Sequence, residues 1–257
     1  MALKFLERLE NPNHPSMGPI IWGLKAAGMW KSDNTLDKAF IVQTFAIITF
    51  ATEVTELWFL RSDITSALRN ISFTTLRLVC VVKSGSFVLW NKCWKEIIEY
   101  VSGLEREQLS NPGEGVVQSM ELYIRYSRRI TYLYWGLTYS TVLAVILSPL
   151  VSYFASAEVI RNGSVPYPEI ISSWVPFDKT RGCGYAVLIL IQAVMLIYGG
   201  ITVASYDSNA VALMTFFAGQ LNILRENCKG LFDGNISKES SMKKIRGYHK
   251  NYVDLIK

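Results

Sequence analysis

The chain has 257 residues, half of them hydrophobic and only 18% charged, with a net charge of +5 and a mean hydropathy of +0.22. That mixture is too apolar for a disordered segment and richer in apolar residues than a soluble domain needs. The basic residues are spread between hydrophobic runs rather than gathered on one face, which argues against nucleic acid as a partner.

Residues 1–38 carry a short amphipathic start (Leu3, Phe5, Leu6, Leu9), an Asn- and Pro-rich turn, and an apolar patch from Ile20 to Trp30. No continuous apolar run of signal-peptide type is present, and the pattern predicts a helix lying near the membrane interface. Residues 39–60 and 71–90 are expected to be the first two spans, although they contain Glu53 and Glu56, and Arg77 and Lys83. Running out and back, they bring Glu53, Glu56 and Arg77 within about two turns of one boundary, where they can neutralise one another. Lys83 is expected to snorkel towards the other.

Residues 91–129 read as a polar connection, broken at Asn111-Pro112-Gly113 and ending in Arg125, Arg128 and Arg129. The third span, 130–157, opens with Tyr132, Tyr134, Trp135 and Tyr139, as suits a membrane interface, and Pro149 is expected to kink it near its exit. A loop with three prolines leads to the fourth span, 185–206, YAVLILIQAVMLIYGGITVASY, which has no charge and is about the 20 residues a bilayer core requires. After Asp207 the uncharged pattern resumes, so this helix is expected to continue as a long cytoplasmic extension. The whole of 1–257 reads as one all-α domain, a polytopic membrane helix bundle with four spans.

With these spans, nineteen Lys and Arg fall on one face of the membrane and five on the other. The positive-inside rule then makes both termini cytoplasmic. Asn162, in the outer loop, becomes the glycosylation candidate; Asn70 lies close to the membrane and Asn235 falls on the inner side.

The four cysteines and two histidines show no metal-ligand or disulfide spacing, so neither a metal nor another cofactor is expected. No hydrolase, phosphate-loop or dinucleotide motif occurs, and an enzyme is not expected.

Gly18-Pro19 with Trp22-Gly23-Leu24 and Gly28-Met29-Trp30, then Trp174-Val175-Pro176-Phe177-Asp178 before a span holding Gln192, then Asp207 followed by Gly219-Gln220-Leu221 and Leu224, form an ordered series. It resembles the insect odorant receptor family, with an amino-terminal pattern most like moth and butterfly members. The resemblance implies seven spans, of which four are present. It also implies a volatile odorant as ligand, assembly with the shared olfactory co-receptor into an odorant-gated cation channel, and the plasma membrane of olfactory sensory neurons. Tyr248-His249 resemble the approach to the family's fifth span, so the sequence is expected to be a partial product without channel activity of its own. A gustatory receptor and a four-span scaffold or accessory protein are the alternatives. An odorant pocket should be apolar with few polar groups. Helical spacing offers Phe73, Leu76 and Cys80 on the second span, Thr141, Val145 and Ser148 on the third, and Leu188, Gln192 and Met195 on the fourth. Ordinary helix packing competes with that role at each position.

Overall fold

The computed structural model describes residues 11–30, 36–110, 116–155, 167–179, 182–229 and 246. Six α-helices are present among them: α1 (Gly18–Ala26), α2 (Leu36–Phe59), α3 (Ile64–Leu89), α4 (Asn91–Ser110), α5 (Val116–Ala155) and α6 (Gly182–Lys229), with a 3-10 turn at Leu60–Ser62 between α2 and α3. No strand occurs among the described residues.

Four of the helices, α2, α3, α5 and α6, are long and apolar enough to cross a membrane. They alternate in direction, and α6 packs on both α3 and α5 while α2 packs on α3. In the apolar windows of these helices only 6 to 33% of residues are buried within the protein, so the core of a soluble fold is not what they build. Their outward apolar side chains, such as Ile41, Trp58, Leu68 and Leu133, are what a lipid-facing surface requires.

The α2–α3 hairpin is set by Asp63. Its Oδ1 accepts from the amides of Thr65 (3.1 Å) and Ser66 (3.4 Å), and its Oδ2 from the Ser66 hydroxyl at 2.6 Å. These bonds satisfy the first free N–H groups of α3.

At about 1.5 Å per residue, α5 and α6 would be about 60 and 70 Å long, twice the roughly 30 Å of bilayer hydrocarbon. The excess, at one end of the bundle, joins α1 and α4 in a second layer, and the main hydrophobic core sits there. Met17, Ile20, Ile21, Leu24, Phe87, Ile98, Val101, Met120, Tyr123 and Phe216 form it. The region 91–129, expected as a connection, therefore divides into α4 and the first turns of α5. Ile98, Val101, Ser102 and Glu105 make the buried stripe of α4, at the three- and four-residue spacing of one helix face.

The amino-terminal patch packs on the bundle: α1 contacts both α5 and α6, with Ile20, Ile21 and Leu24 buried and only Trp22, Lys25 and Ala26 exposed. Gly23 allows this approach, because a Cβ there would collide with the Trp135 ring and the Ser205 hydroxyl. Gly28, at φ 70°, ends the helix: its amide donates to Lys25 O (3.0 Å) and that of Met29 to Leu24 O (2.8 Å). This is the Schellman arrangement, which a glycine enters without steric cost. Residues 1–10 of the expected amphipathic start lie outside the described residues. Pro149 lies within α5, which runs on to Ala155.

Candidate ligand cavities

The charged side chains of the spans are matched inside the bundle. Arg77 Nε donates to Glu53 Oε1 at 3.1 Å, with both side chains about 95% buried, and its Nη1 donates to the Met195 carbonyl at 2.8 Å. The expected approach of Arg77 to an acid of the first span is present, and Glu53 is the acid. Glu56 turns instead to Lys179 (3.3 Å) and the Ser172 hydroxyl (3.0 Å). Lys179 also pairs with Glu169 at 3.1 Å, whose carboxyl is pushed up by burial despite the nearby ammonium. Lys83 has a partner: its Nζ meets Asp207 Oδ1 at 2.5 Å, and the Tyr134 hydroxyl donates to Asp207 Oδ2 at 2.7 Å. This pair is only half-buried, with the Lys83 and Asp207 side chains 22% and 31% exposed.

The segment 167–179 closes one end of the bundle. Gln192 Oε1 accepts from the amides of Ile170 (3.2 Å) and Ile171 (3.3 Å), while its Nε2 donates to Ile171 O (2.6 Å) and Ser173 Oγ (3.0 Å). Trp174 N adds a bond to Thr52 O at 3.2 Å. Every donor and acceptor of the Gln192 amide is thereby committed to the loop.

Among the cavities that border this cap, two exceed 100 Å³. The larger, about 230 Å³, is walled by α3, α5 and α6, with Ile171 above and Tyr134 below; Phe73, Leu76, Cys80 and Thr141 line it, as do Arg77, Thr138, Gly199, Gly200 and Val203. Most of its polar groups are already engaged. Thr138 and Thr141 bond carbonyls of their own helix at 2.9 Å, Cys80 Sγ lies 3.8 Å from Gly199 O, and Tyr134 is held by Asp207. Such a chamber takes an apolar molecule and discriminates by shape. The smaller cavity, about 140 Å³, lies between α2, α6 and the cap; Leu188, Gln192 and Met195 border it, with Thr49, Glu53 and Arg77.

The residues singled out by sequence thus divide. Phe73, Leu76, Cys80 and Thr141 surround one cavity and Leu188, Gln192 and Met195 the other, whereas Val145 and Ser148 line neither. On α5 and α6 the larger cavity sits one to two turns nearer the basic layer than helical spacing from the loop end implies. The missed positions Leu137, Thr138 and Val142 continue the Thr141 face, and the Gly199-Gly200 pair was the legible sign of close helix approach. Asn162 lies outside the described residues. Asn70 is 3% exposed within α3, which removes it as a glycan acceptor. Among the described residues no cluster suited to a metal ion occurs.

In the basic layer, Glu105 is fully buried. It accepts from the Ser16 amide (3.1 Å), from the Ser16 hydroxyl and from Tyr123 OH (2.8 Å), and burial pushes its carboxyl up. His14 donates to or accepts from Ser102 Oγ at 2.8 Å; burial, with Arg106 and Lys25 nearby, lowers its basicity. These bonds tie the segment preceding α1 to α4.

Comparison with known proteins identifies this architecture. The chain superposes on the insect olfactory receptor OR5 from Machilis hrabei with a TM-score of 0.70 at 20% identity, and on the same receptor in complex with eugenol with a TM-score of 0.64. Each match covers 91% of this chain but 61% of the receptor. No curated protein sequence matches the chain. The model of the 7tm Odorant receptor family matches residues 63–257, and membership sets the gustatory and enzyme readings aside. A membrane helix bundle, capped at one end and matched to that model over most of its length, belongs to the odorant receptor family.

Proposed function

We propose that the chain is the odorant-binding part of a receptor subunit that, when complete and assembled with the shared olfactory co-receptor, acts as a ligand-gated cation channel in the plasma membrane of olfactory sensory neurons. The observation that carries the ligand assignment is the larger cavity, about 230 Å³ in volume. Three spans wall it, and most of its polar groups are engaged elsewhere. The ligand this favours is a compact, mainly apolar volatile, bound by burial of its hydrocarbon surface at about 25 cal/mol per Å². The nineteen basic residues that the order of the spans assigns to one face of the membrane support a cytoplasmic position for the second layer and an outward-facing 167–179 cap.

The test is made in a receptor containing these residues, expressed with the co-receptor. Thr141→Phe places a ring over the cavity and is expected to raise half-maximal concentrations for apolar odorants at least tenfold while surface delivery is kept. Unchanged sensitivity across a broad odorant panel would remove this cavity from ligand binding.

A further inference from the structure

Arg77 brings more hydrogen-bond donors into the bundle than the bundle uses. A guanidinium carries five N–H groups and no acceptor. Nε donates to Glu53 Oε1 at 3.1 Å and Nη1 to the Met195 carbonyl at 2.8 Å, while Nη2 donates to no group among the described residues. Nor is Nη2 sealed: Glu53 Oε2 is buried without a partner or accessible area, and Nη2 is not in that condition. The side chain is only 5% exposed, so what stays accessible opens into the two cavities that Arg77 borders. The larger is the one its head faces. Nη1 lies 3.8 Å, and Cys80 Sγ 3.3 Å, from the point that a Cβ on Gly199 would occupy. Gly199 and Cys80 line the larger cavity and not the smaller, whereas Glu53, on the Nε side, lines the smaller and not the larger. A glycine at 199 thus leaves the guanidinium uncovered towards the larger chamber.

We propose that Arg77 makes the larger cavity selective for odorants that carry a carbonyl oxygen on a compact hydrocarbon body, with the guanidinium donating to that oxygen. The inference rests on the assignment of this cavity to the odorant and adds the chemistry of the ligand. A carbonyl compound dissolved in lipid hydrocarbon has no donor to give up, so a bond to a charged donor is gained almost in full on entry. The volume of about 230 Å³ exceeds the roughly 150 Å³ that admits benzene, so a six-membered ring with a short carbonyl-bearing side group fits. Its hydrocarbon part lies against Phe73, Leu76 and Leu137.

Acetophenone and isopropylbenzene are near-isosteric and differ in having a carbonyl oxygen or a methyl group at one position. Binding of each to a receptor containing these residues, in lipid nanodiscs, is followed by saturation-transfer NMR titration, with affinities referred to the concentration in the lipid phase. The expected result is at least a tenfold preference for the ketone, the return on a hydrogen bond to a charged group. Thr141→Phe is expected to weaken both ligands at least tenfold, whereas Thr49→Phe, in the smaller cavity, leaves both affinities intact. Arg77→Met combined with Glu53→Met removes the donor together with its counter-ion, orphans no buried charge, and is expected to bind the two molecules equally. Equal affinities in the unmodified receptor, both sensitive to Thr141→Phe, overturn this inference and leave the cavity assignment standing. Affinities indifferent to Thr141→Phe overturn the cavity assignment and this inference with it. A ketone preference that survives the double substitution, or that disappears in Thr49→Phe, overturns the role of Arg77 in the larger cavity.

Discussion

Replacing Arg77 by Met tests how the bundle tolerates charge in its interior. The substitution keeps the length of the side chain but removes the 3.1 Å bond to Glu53 and the 2.8 Å bond to Met195 O. Glu53 would be left 3% exposed with neither oxygen paired. Breaking a buried pair from one side costs about 3–5 kcal/mol, because an uncompensated charge remains. At about 2–4 °C per kcal/mol for a chain of this size, the apparent Tm should fall by roughly 6–20 °C. Replacing both residues, Arg77→Met with Glu53→Met, removes the orphaned charge as well as the pair and should recover most of the loss, since an apolar substitute for a buried pair is often close to neutral. Thermal unfolding of the purified receptor in detergent, arranged as a double-mutant cycle, measures the coupling directly. A double variant as unstable as Arg77→Met alone, or an Arg77→Met variant within about 1 kcal/mol of the unmodified receptor, would refute the reasoning.

Three further predictions follow from other groups. Gln192→Leu removes four bonds to 170–173, so it should loosen the cap, seen as faster proteolysis at that segment and a loss of about 2–4 kcal/mol, rather than simply shift ligand preference towards less polar odorants. Glu105 starts from 4.5 and is raised in the folded state. The unfolded chain therefore gives up this proton first, and stability should fall as pH rises from about 4.5 through the folded value; Glu105→Gln should flatten that slope in a pH series of thermal unfolding curves. If the 167–179 cap faces outward, Asn162→Gln should abolish a glycosidase-sensitive shift in electrophoretic mobility, whereas Asn70→Gln, at a buried position in α3, should leave mobility unchanged.

The sequence by itself determined the four helices fit to cross a membrane among the described residues, because bilayer thickness converts directly into a length of apolar chain, and 130–157 and 185–206 meet that length without a single charge. It also determined that α6 outlasts the membrane, since the apolar helical pattern resumes after Asp207 with no breaker, and that Arg77 would seek an acid of the first span, since an unpaired charge at that depth is expensive. Which acid it found was decided only by tertiary structure: Glu53 and Glu56 lie one helical turn apart, and the choice rests on Lys179 arriving from the cap to claim Glu56. The partner of Lys83 was illegible for the same reason, because Asp207 is 124 residues away and no local pattern announces it. The cavities were half legible. Helical spacing identified a face of each span, yet the depth of the chamber along α5 and α6 depends on how far those helices slide past one another. Gly200 against Val142 and Gly199 against Cys80 mark that register. Spacing repeats every turn and says which side of a helix faces inward, while only packing against the neighbouring helix selects the turn.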